Sequence, residues 1–321
     1  MTEIDAIYEP IREELRKVEQ RLAVVADVDI PVLQKLLGYV VKSSGKRVRP
    51  ALTLFSGKFY NYDSELLLPA ATAVELLHTA TLVHDDVIDS SVERRGKATI
   101  NKLWGDAPAI LVGDYLLAKS AELATETENI KIIKLLARTA MTISAGELQQ
   151  EDISGDKRRV KADYYRWIAA KTASLFSAAA ESGAVLAGSP EEAVNALKDY
   201  GYNLGMAFQV VDDILDFIGD EAELGKPLCS DLSQGVLTLP TIVFLEHYPD
   251  DAVIPRALGS SAAGDIGLAR DKICHSTVIP ECFDIAADFS LQACRALEIL
   301  PDKSLCSNLA DLARYVVRRK R

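Results

Sequence analysis

Apolar residues recur at helical spacing along almost all of this 321-residue chain, and this periodicity limits the fold more than any other feature. We find no run of alternating apolar and polar residues long enough for a sheet, and no linker rich in Ser, Gly or Pro. These patterns predict an all-α fold, in which residues 1–321 form one large bundle of long helices around a central cavity. The predicted helices span Ile11 to Val24, Val32 to Val41, Leu66 to Ile88, Ile110 to Leu123, Ile130 to Leu148, Tyr164 to Leu186 and Val194 to Phe217.

Capping residues predict several helix boundaries. Ser189 before Pro190 matches an N-cap followed by proline at the first helical position, and Gly188 is expected to end the preceding helix. Asp106 repeats this pattern ahead of another proline, and Pro50 is expected to begin the helix that follows a basic turn.

Composition limits the classes of function. The chain is 49% hydrophobic and 26% charged, and its net charge of −11 argues against general affinity for nucleic acid or anionic membrane. Five cysteines without a C-x-x-C pair are typical of reduced thiols. The N-terminus has no signal-peptide pattern, and the longest apolar stretch, Leu66 to Val83, is interrupted by Glu75 and His78. We therefore expect a cytoplasmic protein without a transmembrane segment.

One acidic pattern occurs twice in predicted helices, 127 positions apart. In each copy the first and last carboxylates are spaced i, i+4 and project from one helix face. Three carboxylates among apolar residues repel one another unless cations neutralise them, and Mg²⁺ suits such a site when a substrate supplies phosphate oxygens. A solvated acidic face is the alternative for one cluster, but two similar copies favour facing helices that clamp a polyphosphate through metal ions. The first cluster is Asp85, Asp86 and Asp89, and the second is Asp212, Asp213 and Asp216.

Basic residues stand where they could hold phosphate groups. Lys46 and Arg49 belong to the run GKRVRP at the start of a predicted helix, where free N–H groups and the helix dipole attract anions. Arg94 and Arg95 follow the first acidic cluster, where they would bind phosphate or neutralise the aspartates through ion pairs.

Other polar residues interrupt apolar helix faces. His78 lies two turns before the first cluster, although a lone histidine on such a face is usually a core residue. Lys171 and Thr172 interrupt an apolar stretch, where a lysine can also extend to water. Gln209 precedes the second cluster on the same helix face as Asp212, and a loop rich in Gly, Pro and Asp carries Lys226.

The order of these blocks resembles a known family. The sequence is similar to the trans-isoprenyl diphosphate synthases of the polyprenyl synthetase type, in GKRVRP, LLHTATLVHDDVIDSSVERRG, GDYLLAKS, KTASLF, GMAFQVVDDILDF and GKPLCSDLSQGVLTLP. A single DDxxD motif is weak evidence for this family, but these blocks in this order are specific to it. The resemblance implies antiparallel helices around a central cavity and a homodimer. It also implies a reaction in which an allylic diphosphate ionises and isopentenyl diphosphate adds head to tail, in trans geometry.

The resemblance implies a role for each matching residue. About three Mg²⁺ ions would bridge the allylic diphosphate. The direct metal ligands would be Asp85, Asp89 and Asp212, supported by Asp86, Asp213 and Asp216. The allylic diphosphate would be held by Arg94, Lys171 and Lys226, and the allylic cation would face oxygen dipoles of Thr172 and Gln209. Isopentenyl diphosphate would be bound, without metal, by Lys46, Arg49, His78 and Arg95.

The sequence departs from the family pattern at two positions. Cys229 stands where the family often has glycine, and Val236 where it often has lysine. Two other classes share parts of the pattern. A terpene cyclase or head-to-head synthase would not need the second basic set, and a non-catalytic partner subunit would be expected to lose acidic motifs, which are intact here.

Product length depends on the residues that precede the first cluster. A growing hydrocarbon chain must pass Ala80 and Thr81, whose small side chains predict an open tunnel, although small residues also serve tight helix packing. With the resemblance to long-chain members, this predicts a product longer than geranylgeranyl, in the hexaprenyl to decaprenyl range. The alternative is a short-chain farnesyl or geranylgeranyl diphosphate synthase.

Overall fold

A computed structural model describes residues 2–41, 45–94, 96–153, 161–220, 227–260 and 262–319. The all-α prediction is confirmed. In chain order the helices are α1 Glu3–Ile7, α2 Arg12–Val24, α3 Pro31–Val41, α4 Val48–Gly57, α5 Ser64–Ile88, α6 Ile100–Trp104, α7 Asp106–Thr125, α8 Ile130–Ile153, α9 Lys161–Ile168, α10 Ser174–Leu186, α11 Glu191–Ile218, α12 Ser230–Ser233, α13 Leu239–His247, α14 Val253–Ala257, α15 Ala263–Cys274, α16 Val278–Ala296 and α17 Lys303–Arg318.

A short hairpin departs from the prediction that the chain has no sheet. Strands β1, Glu93–Arg94, and β2, Lys97–Ala98, pair antiparallel just after the first acidic cluster. Gly96 lies in the turn with φ +73°, a conformation that glycine adopts without steric cost. Two residues a strand are too few to show as alternation in the sequence.

Three predicted helix starts are displaced by one or more residues. The N–H of Ser189 donates to the carbonyl of Ala184 at 3.1 Å, so this serine ends α10 together with Gly188 and does not cap α11. Pro190 is the N-cap of α11 instead. Asp106 is the first residue inside α7, after Gly105 at the N-cap, and α4 begins two residues before its proline.

Helix α11 runs through both apolar clusters of the protein. Its first half packs in a cluster with helices from α2 to α8, α10 and α17, and its second half packs with α9 and with α13 to α16. Its buried residues include Leu197 and Leu204 in the first cluster and Val211 and Phe217 in the second. This helix therefore fixes the second acidic cluster relative to both halves of the bundle.

Helix α5, Ser64–Ile88, is long and apolar enough to cross a membrane by length and composition alone. In the structure, 72% of its most apolar 18-residue window is buried among the other helices. Its apolar composition is therefore accounted for by its place in the core, where it carries the first acidic cluster to one end of the bundle.

Candidate active site

The first acidic cluster lies where α5 ends. Asp85 is half-buried in the last turn, and Asp89 follows the last helical residue and donates its N–H to the carbonyl of Asp85 at 2.8 Å. Asp86 is buried on another side of the helix, where its Oδ1 accepts from Nε of Arg94 at 2.7 Å. The predicted pair of Asp85 and Asp89 is brought together, while Asp86 orients the neighbouring arginine.

Two oppositely charged side chains lie beside Asp85. Nζ of Lys171 donates to Oε1 of Glu147 at 2.8 Å, and both side chains are largely buried. Burial acts to lower the pKa of Lys171, but the carboxylates of Asp85 and Glu147 outweigh it and raise that pKa. Burial raises the pKa of Asp85 to about 6, against the lowering effect of Lys171. Glu147 was not predicted, because one glutamate on a polar stretch of α8 carries no recognisable spacing.

The first cluster fits a divalent cation. A buried carboxyl with a raised pKa needs added positive charge to ionise fully, and a bound dication supplies it. Mg²⁺ takes one or two protein carboxylates and completes its shell with water and substrate phosphate oxygens. Asp85 and Asp89 can provide those carboxylates. In the part of the chain that the structure describes, no group of three His, Cys, Asp or Glu side chains is already arranged to hold a metal.

A π-helical turn, Ala169–Ala173, carries Lys171 and Thr172 between α9 and α10. The sequence predicted one continuous helix here. π turns are rare and occur frequently at functional sites. Gly205 of α11 lets this turn approach closely, because a Cβ at that position would lie 2.6 Å from Cα of Ala173.

The middle carboxylate of the second cluster is fully enclosed. Oδ1 of Asp213 accepts from Nε2 of Gln209 at 2.9 Å, and Oδ2 accepts from the hydroxyl of Tyr164 at 2.6 Å. The hydroxyl of Thr172 donates to Oε1 of Gln209 at 2.7 Å. Burial and the charge of Asp231 outweigh the two hydrogen bonds, which act to lower the pKa of Asp213, and together they raise this pKa to about 8. The structure thus brings the predicted site residues Thr172 and Gln209 into direct contact.

Asp212 is the more exposed member of this cluster and forms an ion pair with Arg319 near the C-terminus. The same arginine donates to the carbonyl of Phe208 at 2.8 Å, and its Cζ lies 3.8 Å from the centroid of that ring. The prediction placed Gln209 on the face of Asp212, but its amide contacts Asp213. Arg319 was missed, since a basic chain end usually signals only solvation.

Asp216 holds the loop that follows α11. Its Oδ1 accepts from Oγ of Ser230 at 2.9 Å, and its carbonyl accepts from the N–H of Cys229 at 2.7 Å. Cys229 has φ +56°, which explains why glycine is often found there in the family that the sequence resembles. In this chain a cysteine adopts that conformation. Val236 donates its N–H to the carbonyl of Asp231, and we assign its side chain no role.

Lys46 and Arg49 lie against aromatic rings. Nζ of Lys46 is 5.2 Å from the ring centroid of Tyr315, and Cζ of Arg49 is 4.4 Å from that of Phe176. The ring of Phe208 lies 5.1 Å from that of the fully buried Phe176, and Phe208 precedes Gln209 on α11. Arg49 is therefore connected through two rings to the helix that carries the second acidic cluster, while Lys46 contacts α17.

Arg47, between these two cations, holds the turn in place. It adopts φ +50°, and its guanidinium donates to Glu19 at 2.5 Å and to the buried Glu75 at 2.7 Å. These ion pairs tie the turn to α2 and α5. Arg47 is thus structural, while Lys46 and Arg49 extend from either side of it.

The remaining candidates lie along α5 or outside the described residues. His78 is half-buried two turns before Asp85, and its carbonyl accepts from the hydroxyl of Thr81 at 2.8 Å. Ala80 is 2% exposed, while Thr81 is half-buried. Two candidates lie outside the residues that the structure describes, Arg95 and Lys226.

Comparisons with known proteins identify the family of the chain. The polyprenyl synthetase family model matches residues 30–269. Octaprenyl diphosphate synthase of Haemophilus influenzae is 35% identical over 98% of this chain and 97% of its own length.

Two solved structures share the fold over nearly their full lengths. A polyprenyl synthase of Caulobacter crescentus, complexed with calcium and isoprenyl diphosphate, has a TM-score of 0.95 and 36% identity, over 99% of this chain and 98% of that one. A decaprenyl diphosphate synthase of Rhodobacter capsulatus has a TM-score of 0.92 and 36% identity, over 99% of each chain. The chain described here belongs to the polyprenyl synthetase family and is a prenyltransferase.

Proposed function

We propose that this protein is a Mg²⁺-dependent synthase that joins isopentenyl diphosphate to an allylic diphosphate and makes an all-trans polyprenyl diphosphate. The observation that carries the proposal is the placement of two consecutive residues in the π turn. Lys171 lies beside the first acidic cluster with Glu147, and Thr172 reaches the second cluster through Gln209. One short segment thus lies between two groups of carboxylates suited to a metal-bound diphosphate.

In the proposed reaction, the C–O bond between the allylic carbon and its diphosphate breaks first. The bond electrons leave with the diphosphate, and an allylic cation remains. The double bond of isopentenyl diphosphate then forms a new C–C bond to this cation. The condensed cation loses a proton, which the departing diphosphate accepts. Bound Mg²⁺ ions, about three by the family pattern, would supply positive charge where leaving-group charge develops. Asp85, Asp89 and Asp212 would be the direct ligands, and Asp86, Asp213 and Asp216 would support them.

The chain's own cations complete the two diphosphate sites. The allylic diphosphate site is assigned to Arg94, oriented by Asp86, to Lys171, oriented by Glu147, and, from the sequence alone, to Lys226. Thr172 and Gln209 direct oxygen atoms toward the allylic cation. The isopentenyl diphosphate site is assigned to Lys46, Arg49, His78 and Arg95.

The two basic sets are expected to respond differently to substitution. Lys46→Ala or Arg49→Ala should raise KM for isopentenyl diphosphate about 10- to 100-fold, because each removes a charge-assisted hydrogen bond to that substrate. Arg94→Ala and Lys171→Ala should instead raise KM for the allylic substrate or lower kcat. Steady-state kinetics with each substrate varied in turn measures the difference.

A lysine outside the site provides the matched control. Nζ of Lys58 lies 4.6 Å from the ring centroid of Tyr62, much as Nζ of Lys46 lies over the ring of Tyr315. It also donates a hydrogen bond to Oε1 of Glu14 at 2.9 Å. Lys58→Ala should leave both KM values unchanged. Equal effects on both substrates from all four site substitutions would show that the pocket is divided wrongly.

The proposal extends to product length, cellular location and domain organisation. We propose a product in the hexaprenyl to decaprenyl range, supported by Ala80 and Thr81 and by the names of the octaprenyl and decaprenyl synthases that the chain resembles. Such a chain would suit a quinone side chain and would be delivered to a membrane. We further propose a cytoplasmic protein in which residues 1–321 form a single domain.

We also propose that the protein is a homodimer. In the part of the chain that the structure describes, α7 and α8 expose apolar side chains: Ile110 and Leu117 on α7, and Met141 and Leu148 on α8, are seven residues apart and share a helix face, and Leu111 is adjacent to Ile110. A second copy, bringing the same surface, would bury them by an isologous contact.

A charge on this face is expected to separate the two copies. Leu111→Glu or Met141→Glu should convert the dimer to a monomer, because a buried carboxylate without a partner is costly. Light scattering coupled to size-exclusion chromatography measures the mass. Val24→Glu, at a residue of α2 with similar exposure, is the control and should leave the mass unchanged. A monomer before substitution, or a dimer that survives both changes, would contradict this assignment.

Release of inorganic diphosphate tests the proposed reaction against its rivals. We expect release only when isopentenyl diphosphate, an allylic starter and Mg²⁺ are all present. A terpene cyclase would release diphosphate from the allylic substrate alone. A non-catalytic partner subunit would release none under any of these conditions.

A further inference from the structure

Tyr164 is a buried residue that the assignments above leave without a role in the reaction. It lies in α9, two helical turns before Lys171, and is 4% exposed. Its hydroxyl donates to Oδ2 of Asp213 at 2.6 Å. It is thus one end of a chain of hydrogen bonds that continues through Asp213 and Gln209 to Thr172.

The two ends of the Gln209 amide have different hydrogen-bonding roles. Its nitrogen only donates, and it donates to Oδ1 of Asp213. Its carbonyl oxygen then faces the other way, where it accepts from Thr172. With Tyr164 on Oδ2, both oxygens of a carboxylate that is 1% exposed have protein donors.

We propose that Tyr164 is a positioning residue for the second acidic cluster. By holding the carboxylate of Asp213, it fixes the carbonyl oxygen of Gln209 toward the π turn and fixes the helical turn that carries Asp212. This inference rests on the proposed function, in which Gln209 faces the allylic cation and Asp212 binds metal. Residues that orient metal ligands from behind commonly change activity or metal affinity by about 10- to 100-fold when they are replaced.

A second buried tyrosine separates positioning from stability. The hydroxyl of Tyr200 donates to the carbonyl of Leu309 at 2.7 Å, and Tyr200 is fully buried. It lies on α11, more than two turns before Gln209. Tyr200→Phe therefore removes a buried hydrogen bond of similar length that has no connection to the acidic clusters.

The experiment compares Tyr164→Phe and Tyr200→Phe in the full chain. Both should lower Tm, but only Tyr164→Phe should lower kcat about 10-fold or more while KM for isopentenyl diphosphate stays unchanged. Only Tyr164→Phe should also weaken the binding of inorganic diphosphate in the presence of Mg²⁺, measured by calorimetry. Tyr164→His keeps a ring and an N–H donor, and its kcat should lie between those of Tyr164→Phe and the unchanged protein.

Each other outcome overturns the inference. A kcat and diphosphate affinity within twofold of normal in folded Tyr164→Phe, or equal losses in Tyr200→Phe, would make the hydroxyl merely structural. If neither Tyr164→Phe nor Tyr164→His folds, the role of the hydroxyl is likewise structural. If the unchanged protein transfers no prenyl group, the proposed function fails, and the calorimetric comparison of the two phenylalanine variants still decides the role of Tyr164.

Discussion

Asp85→Asn and Asp212→Asn are each expected to lower kcat by about 100- to 1,000-fold, the effect of removing one preorganised electrostatic contact from a transition state. Each substitution keeps the shape of the side chain and removes the charge that holds a metal ion against the leaving diphosphate. Asp311→Asn, on the exposed face of α17, is the control and should leave kcat unchanged. Single-turnover measurement at saturating Mg²⁺ checks the chemical step directly.

Thermal unfolding of the two variants separates a loss of activity from a loss of fold. Burial raises the pKa of Asp85 from its usual 3.8 to about 6 in the folded protein. The stability that its protonated form contributes is therefore fully present below pH 3.8 and is lost as pH rises through 6. An asparagine at this position does not titrate, so in EDTA at pH 8 Asp85→Asn should be more stable than the unchanged protein by about 1 to 2 kcal/mol. The difference should vanish below pH 4.

A near-normal kcat in folded Asp85→Asn or Asp212→Asn would contradict the model in which the two clusters bind one diphosphate. A lower Tm for Asp85→Asn in EDTA at pH 8 would show that Asp85 is stabilised by its neighbours in the absence of metal. It would then behave as a structural ion-pair residue.

Thr81→Phe and Ala80→Phe are expected to shorten the product to farnesyl or geranylgeranyl diphosphate. A phenylalanine at either position would close the path of the growing chain after a few isoprene units, while the first addition continues. Because Ala80 is 2% exposed and Thr81 is half-buried, Ala80→Phe should lower Tm more. Reversed-phase chromatography of the dephosphorylated products measures the lengths.

Thr79→Phe adds the same bulk to another side of α5. Thr79 lines a cavity closed by α3 and the hairpin, whose walls include Tyr39 and Ala98 and also Asp86 and Arg94, but neither Ala80 nor Thr81. Its substitution should leave product length unchanged. Equal shortening by all three substitutions would show that the effect arises from distortion of α5, not from a blocked tunnel.

The helical fold and the two acidic clusters were predictable because both depend on local spacing. Apolar periodicity located α5 and α11, and the i, i+4 carboxylates identified Asp85 and Asp212 on them. Helix boundaries were predicted less well where one residue lies between the end of one helix and the start of the next. Ser189 looked like an N-cap, but its N–H is engaged by the end of α10.

The residues that the prediction missed act through tertiary contacts. Glu147, Tyr164 and Arg319 are each isolated in the sequence and contact their partners across 24, 49 and 107 positions. No periodic pattern records such contacts. The π turn was also invisible, because its residues are compatible with an ordinary α-helix and it becomes recognisable only where α10 packs on α11.

The most direct test of the central claim uses a limiting allylic starter with excess labelled isopentenyl diphosphate and Mg²⁺. Product length and released diphosphate are measured together. The account predicts products in the hexaprenyl to decaprenyl range, with one diphosphate released for each isoprene unit added. Products that stop at farnesyl or geranylgeranyl would contradict the open tunnel. Absence of labelled product, or diphosphate released without incorporation of label, would contradict chain elongation itself.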